Sequence, residues 1–249
     1  MTQSIDLSGK TALVTGASGG IGQAIARALA SAGAAVAVHY NSHQEEADEL
    51  VAELVGNGAK AVAIGANLRE AKEIRELYDR AESELGPLDF VVNNAGVGGS
   101  GMLTDTDLEK LDLLIDINFR AVVLSLAEAG RRLKEGGAIV NISSMLGDYP
   151  LPGTTPYSAT KAAVDVLARG AAKEFGDRGI SVTSLSPGAT LPGMFGKSTE
   201  ERQKEFANST PLKRLGEADD IAAMVVFLFS APGRWINGAV ITADGGFSA

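Results

Sequence analysis

The chain has 249 residues, 31 acidic and 22 basic, giving a formal charge of −9; 45% of residues are hydrophobic, 5% aromatic and none is cysteine. The charge opposes binding to nucleic-acid phosphates or anionic lipid, and the missing thiols exclude a disulfide framework, cysteine-ligated zinc and a thiol nucleophile. Ordinary globular composition at this length fits a single α/β domain over 1–249 acting on a small molecule. Met1 to Lys10 contain no basic stretch leading into an apolar run, and no segment offers about 18 uninterrupted apolar residues. A cytoplasmic protein with no membrane partner is therefore expected.

In chain order, short β-branched runs alternate with longer segments of helical pattern. Strands are predicted at Thr11 to Val14, Ala35 to Val38, Ala61 to Ile64, Phe90 to Val92, Ala138 to Ile142, Ile180 to Leu185 and Ala239 to Thr242. The helical segments include Ile21 to Ser31, Glu45 to Val55, Glu70 to Glu84, Asp107 to Leu133 and Tyr157 to Phe175. This alternation implies parallel βαβ units, hence an α/β fold: a Rossmann-type doubly wound sheet of about seven strands with helices on both faces. A looser stretch at 187–211, with a short helix near Thr199 to Ala207, is expected to serve as the substrate loop. Polar, Gly-rich clusters recur at the carboxyl ends of the strands, where open α/β sheets bind ligands.

The first strand runs directly into Thr15-Gly-Ala-Ser-Gly-Gly-Ile-Gly22, which opens a helix. Its backbone N–H groups and the helix dipole can face a pyrophosphate. Gly16 is assigned the tight turn, Gly20 close approach of the phosphate and Gly22 the packing of helix on sheet; Ser18 and Ile21 join the cofactor-binding set. No Gly-Lys-Ser/Thr follows, which disfavours a nucleotide triphosphatase. The end of the second strand reads His39-Tyr-Asn-Ser-His43. NAD sites usually place a carboxylate there for the ribose 2′-hydroxyl. Here Tyr40, Asn41 and Ser42 stand instead, none repels a 2′-phosphate, and NADP(H) is favoured over NAD(H) although no arginine is at hand. His39 and His43 read as loop or strand-end residues, and no metal site is expected.

Tyr157-Ser-Ala-Thr-Lys161 puts a phenol and an ammonium on one helix face, a pairing that a plain surface helix also shows. It gains meaning from Ser143 and Ser144 at the end of the fifth strand, either of which could share a carbonyl oxygen with Tyr157. Together with Asn93-Asn-Ala-Gly96, Asn118, Asn141-Ile-Ser-Ser144, Pro187-Gly188 and Asp244-Gly-Gly246, these pieces resemble the short-chain dehydrogenase/reductase family over essentially the whole chain. The resemblance leans toward carbonyl reductases of the 3-oxoacyl-carrier-protein reductase type. It implies a catalytic tetrad of Asn118, Ser144, Tyr157 and Lys161, with Ser144 chosen over Ser143. Tyr157 is the implied proton donor to the alkoxide formed by hydride transfer, and Ser144 the second hydrogen bond. Lys161 is expected to lower the Tyr157 pKa and bind the nicotinamide ribose, and Asn118 to hold a water of the proton supply. By the same resemblance Asn67, Leu68, Asn94, Ala95, Gly96, Pro187, Gly188 and Thr190 contact the cofactor, Thr190 at an uncommon spacing.

Leu, Met, Pro and Phe at Met145 to Pro152 and Leu191 to Phe195 point to a fairly apolar ketone or secondary alcohol. A 3-oxoacyl-carrier-protein reductase is the alternative, with Arg178 retained but Glu135 where a basic docking residue is often found and the chain itself acidic. A sugar dehydrogenase is a further alternative, and a non-catalytic nucleotide-binding regulator a remote one. The resemblance also implies a homotetramer packed through the helices at Asp107 to Leu133 and Tyr157 to Phe175.

Overall fold

The structure, a computed structural model, describes residues 5–249. Nine strands appear: β1 (Thr11–Val14), β2 (Ala35–Tyr40), β3 (Ala61–Gly65), β4 (Phe90–Asn93), β5 (Ala138–Ile142), β6 (Ser181–Pro187), β7 (Thr190–Leu191), β8 (Gly216–Glu217) and β9 (Val240–Ala243). Eight α-helices accompany them: α1 (Gly20–Ser31), α2 (Gln44–Gly56), α3 (Ala71–Leu85), α4 (Leu108–Ile115), α5 (Ala121–Arg132), α6 (Thr155–Glu174), α7 (Glu200–Ser209) and α8 (Ala218–Phe229). Seven strands form one parallel sheet in the order β3-β2-β1-β4-β5-β6-β9. The order reverses between β1 and β4, so the connections leaving these strands diverge and open a crevice beyond their carboxyl ends.

The period-2 geometry of the strands divides the core. Ala12 and Val14 join α1, α2 and α8 on one face, while Leu13 joins α3, α5 and α6 on the other. Both faces are covered, so β1 and β4 are buried along their length and read as continuous apolar runs. The Phe90 and Phe229 rings, stacked at 4.4 Å, lock α8 to the sheet centre. Each fully buried Leu, Ile or Val contributes about 1.5–3 kcal/mol of burial.

Two features differ from the expected pattern. The helix expected over Asp107 to Leu133 begins where the Asp107 carboxylate accepts from the N–H groups of Glu109 and Lys110, but a π-turn at Asp116–Arg120 divides it. The wider turn rotates Asn118 into the interior, where it is fully buried. The stretch at 187–211 carries α7 and is tied down by a small second sheet in which β7 pairs with β8, and α8 adds a helix beyond those picked out by periodicity.

Candidate active site

Gly16 leaves β1 with φ +63°, and a side chain there would press within 2.8 Å of the Ala95 Cα. Its N–H donates to Nδ1 of His39 at 2.9 Å, while Nε2 of that ring faces the Ala66 carbonyl at 3.0 Å. This pairing requires the neutral tautomer with the proton on Nε2. Asn94 donates from Nδ2 to the carbonyls of Thr15 and Gly16, and Thr15 Oγ1 accepts from the N–H groups of Asn94 and Ala95. The glycine turn is thus held by β2 on one side and the segment after β4 on the other. A Cβ on Gly22 would strike the Gly16 carbonyl and approach Asn94 Nδ2 within 2.6 Å, so this glycine packs inside the turn itself rather than against the sheet. At Gly20 a Cβ would run into the Pro192 carbonyl, so the close approach there comes from the substrate loop.

Beyond the turn lies a cavity of about 1020 Å³, large enough for a dinucleotide and a small substrate together. Gly16, Ser18, Gly20, Ile21 and Gly22 form one border, and Asn41, Asn67, Leu68, Asn94, Ala95 and Gly96 another. Pro187, Gly188 and Thr190 close the far side. None of the described lining residues is an Asp or Glu, whereas Arg69, Lys161, Lys197 and Arg202 all reach it. Arg69 is paired with Asp116 at 3.0 Å, and the remaining cations on this carboxylate-free lining suit an anionic ligand in a chain of net charge −9. The glycine cradle and the absence of carboxylates fit a phosphorylated dinucleotide. No cluster of three metal-ligating side chains occurs among the described residues.

Tyr157, Lys161 and Ser144 share the wall of this cavity. Ser144 sits at the end of β5 with its hydroxyl beside the Tyr157 phenol. Lys161, one turn along α6 from Tyr157, is buried, donates to the Ile142 carbonyl at 2.9 Å and holds Nζ 5.8 Å from the phenol ring centre. A Cβ on Gly96 would lie 3.5 Å from that Nζ, in ordinary contact, so this segment passes directly beside the ammonium. Ser143 points away and donates to the Lys161 carbonyl at 3.0 Å. Burial pushes the Lys161 pKa down to about 8, with Asp165 acting in the opposite sense.

The sequence pattern of a family described as enoyl-(acyl carrier protein) reductase matches residues 16–248. The short chain dehydrogenase/reductase nsrJ of Aspergillus novofumigatus is 41% identical, over 96% of each chain. The chain belongs to the short-chain dehydrogenase/reductase family. The short-chain dehydrogenase of Burkholderia cenocepacia, solved in complex with NADP, superposes with TM-score 0.93 at 40% identity, over 98% of this chain and 99% of that one. The angucycline C-6 ketoreductase LanV, solved with bound NADP, does so with TM-score 0.93 at 35% identity, over 98% of each.

Several residues of this short-chain dehydrogenase/reductase sit differently from their sequence assignments. Tyr40 does not line the cavity; its ring packs over Gly65, within 2.9 Å of where a Cβ would stand. Ser42 also stays outside, its hydroxyl turned to His43 Nδ1 at 3.3 Å, and it is His43 with Asn41 that reaches the lining. Asn118 is absent from the lining because its amide is consumed: Oδ1 accepts from Val97 N–H at 2.8 Å, and Nδ2 donates to the Val97 carbonyl and to Thr160 Oγ1. It clasps the segment after β4 to α6. Thr190 lines the cavity but spends its hydroxyl on the Gly188 carbonyl at 3.0 Å. The expected lowering of the Tyr157 pKa is reversed, for burial pushes the phenol up and Ser144 pulls only partly back. Beyond the assigned site residues, His39, Gly98, Gly99, Arg202 and Phe206 also line the cavity; the sequence reads His39 as a loop or strand-end residue, and Arg202 and Phe206 lie in the expected substrate loop without an individual assignment.

Proposed function

We propose that this oxidoreductase is an NADP(H)-dependent carbonyl reductase, working in reverse as a secondary-alcohol dehydrogenase, with Tyr157 as its general acid and base. The observation that carries the reading is the meeting of Tyr157, Ser144 and Lys161 on one wall of a cavity whose described lining contains no carboxylate. Gly16, Ser18, Gly20, Asn41 and Asn94 to Gly96 would hold the dinucleotide, with Asn41 and His43 nearest the 2′-phosphate. When bound, the reduced nicotinamide supplies the hydride that reaches the carbonyl carbon. Tyr157 hydrogen-bonds the carbonyl oxygen and delivers its phenolic proton to it as negative charge develops. Ser144 donates a second hydrogen bond to the same oxygen. Lys161 stabilises the phenolate left behind, and Asn118 keeps the Val97 segment and α6 in register around the reacting atoms. NADP bound to two solved relatives supports the cofactor choice.

The substrate half of the cavity is bordered by Leu113, Met145, Leu146, Leu151, Met194 and Phe206, which favours an apolar ketone over a sugar. A 3-oxoacyl-carrier-protein substrate is less well served. The Arg178 guanidinium donates to the carbonyls of Gly130 and Leu133 at the end of α5, so the retained docking arginine is engaged within the fold. The regulator reading leaves the buried Tyr157 and Lys161 without a purpose. An absorbance assay of NADPH oxidation across a panel of ketones, keto-esters and sugars tests the proposal, and tight NADPH binding with no turnover on any carbonyl would sink it. A homotetramer is part of the proposal, supported by exposed Val166 on α6 and Phe119 beside α5, and light scattering tests it. So is a cytoplasmic location; no helix among the described residues is long and apolar enough to cross a membrane.

A further inference from the structure

Lys161 is not the last ionisable group on its face of α6. One turn further on stands Asp165, 6% exposed and outside the cavity lining. A carboxylate so placed costs free energy unless its lone pairs are engaged or its charge is used. One oxygen accepts from the Ser184 hydroxyl of β6 at 2.5 Å. The other lies 3.2 Å from the position a Cβ on Gly147 would take, in the turn that follows Ser144. Ser143, immediately before Ser144, also faces the carboxylate. Asp165 therefore touches the Ser144 segment, β6 and the helix that carries Tyr157 and Lys161.

We propose that Asp165 is a positioning residue whose negative charge keeps Lys161 in its ammonium form beneath Tyr157. The inference rests on the reading of Tyr157 as the proton donor. Lys161 has little else to hold its charge. Its Nζ donates to the Ile142 carbonyl, Asn118 beside Gly96 is neutral, and the Ser143 hydroxyl bonds the Lys161 backbone rather than the ammonium. On α6 itself the facing groups are Tyr157 and Asp165, with Arg169 a further turn along acting on Asp165. Burial takes the Lys161 pKa down to about 8, and Asp165 is the charge that resists this fall. Burial likewise raises the Asp165 pKa, while Ser184, Ser143, Arg169 and Lys161 favour its ionised form.

The sign of the consequence follows from treating Tyr157 and Lys161 as one titrating pair. Reduction requires phenol and ammonium both protonated. Removing a nearby negative charge makes the pair lose its first proton at lower pH, whichever residue releases it. Asp165→Asn and Asp165→Ser are both neutral and differ in size. In each, the alkaline limb of kcat/KM for ketone reduction is expected to move to lower pH by about one unit, the scale of a charge interaction across one helical turn in a partly polar interior. A purely structural role for Asp165 would lower kcat/KM by the same factor at every pH; an unmoved limb in either folded variant overturns the inference. Folding is checked by the thermal transition and by NADPH fluorescence titration. Tyr157→Phe separates the two levels of argument. If it is inactive and the Asp165 limbs do not move, only the role of Asp165 falls; if it is active, the proton-donor reading falls first.

Discussion

Tyr157 is buried to 8% exposure with its phenol against Ser144, and its pKa is raised by that burial. The phenol stays protonated in the range where a ketone is reduced, but the same shift makes it a weaker acid, so its proton transfer depends on Lys161 stabilising the phenolate that forms. Tyr157→Phe is expected to cut kcat/KM by about 10²–10⁴-fold, the usual worth of a positioned general acid, with the NADPH dissociation constant little changed. Stopped-flow turnover and fluorescence titration measure the two separately. His39 makes a different statement about pH. Its folded pKa is lowered by burial from 6.5 to about 4, while the unfolded chain titrates near the ordinary value. Between those limits the unfolded state binds more protons, so stability is complete above about 6.5 and falls as pH drops toward about 4. Thermal unfolding from pH 7 to 5, a range above most carboxylate titration, should show this slope. In His39→Leu the slope should vanish, at a cost of about 1–3 kcal/mol for the Gly16 N–H left without an acceptor.

At the scale of elements, the substrate loop is joined to the body by rings. Phe195 meets Phe206 of α7 at 4.8 Å, Phe206 stacks on Phe247 near the C-terminus at 5.3 Å, and Tyr149 meets Phe247 edge-on at 6.2 Å. This chain runs from the loop that follows Ser144 to the loop that covers Gly20. Phe206→Ala removes one of the two inner members, worth about 1 kcal/mol in each aromatic pair. The expected outcome is a KM for bulky ketones raised about five-fold or more, with NADPH affinity retained; equal changes in both would place the effect at the cofactor instead. The π-turn at Asp116–Arg120 belongs to the same scale, because the clasp from Asn118 to Val97 and Thr160 needs the rotation that this turn supplies.

Across the whole molecule the charge distribution is the informative quantity. Thirty-one acidic residues are distributed over a chain of 249, yet the described cavity lining contains none and includes two arginines and two lysines. Electrostatic focusing in such a cleft favours the more highly phosphorylated cofactor. Asn41→Asp places a carboxylate at the end that faces His43 and is expected to lower kcat/KM for NADPH at least ten-fold while sparing NADH. A thermal-shift comparison supplies an independent check, since a saturating ligand raises stability by about 2.7 kcal/mol at one hundred times its dissociation constant. The advantage of NADPH over NADH in that assay should disappear in the variant.

Periodicity and turn chemistry are local, and they were enough to place all seven strands of the main sheet within about two residues and most of its helices. They sufficed for the glycine turn too, because positive φ at Gly16 and the opening of α1 are matters of neighbouring residues. Tyr157 and Ser144 are separated in sequence by many residues; strand-end placement left Ser143 and Ser144 both open and the family resemblance chose Ser144, whereas the clasp from Asn118 to Val97 was anticipated by neither. The resemblance did not carry environment with it. Tyr40 and Ser42 stand in the expected segment but face Gly65 and His43 instead of the cavity, because a β-strand end selects alternate side chains by its pleat. The direction of the Tyr157 pKa shift, the neutral state of His39 and the carboxylate of Asp165 behind Lys161 depend on burial and on charges brought together by packing. The sequence alone determined which chemical groups the site possesses, through patterns of neighbours along the chain. Tertiary structure decided their protonation and their partners, because desolvation and Coulomb interaction act through space and follow distance in the folded chain.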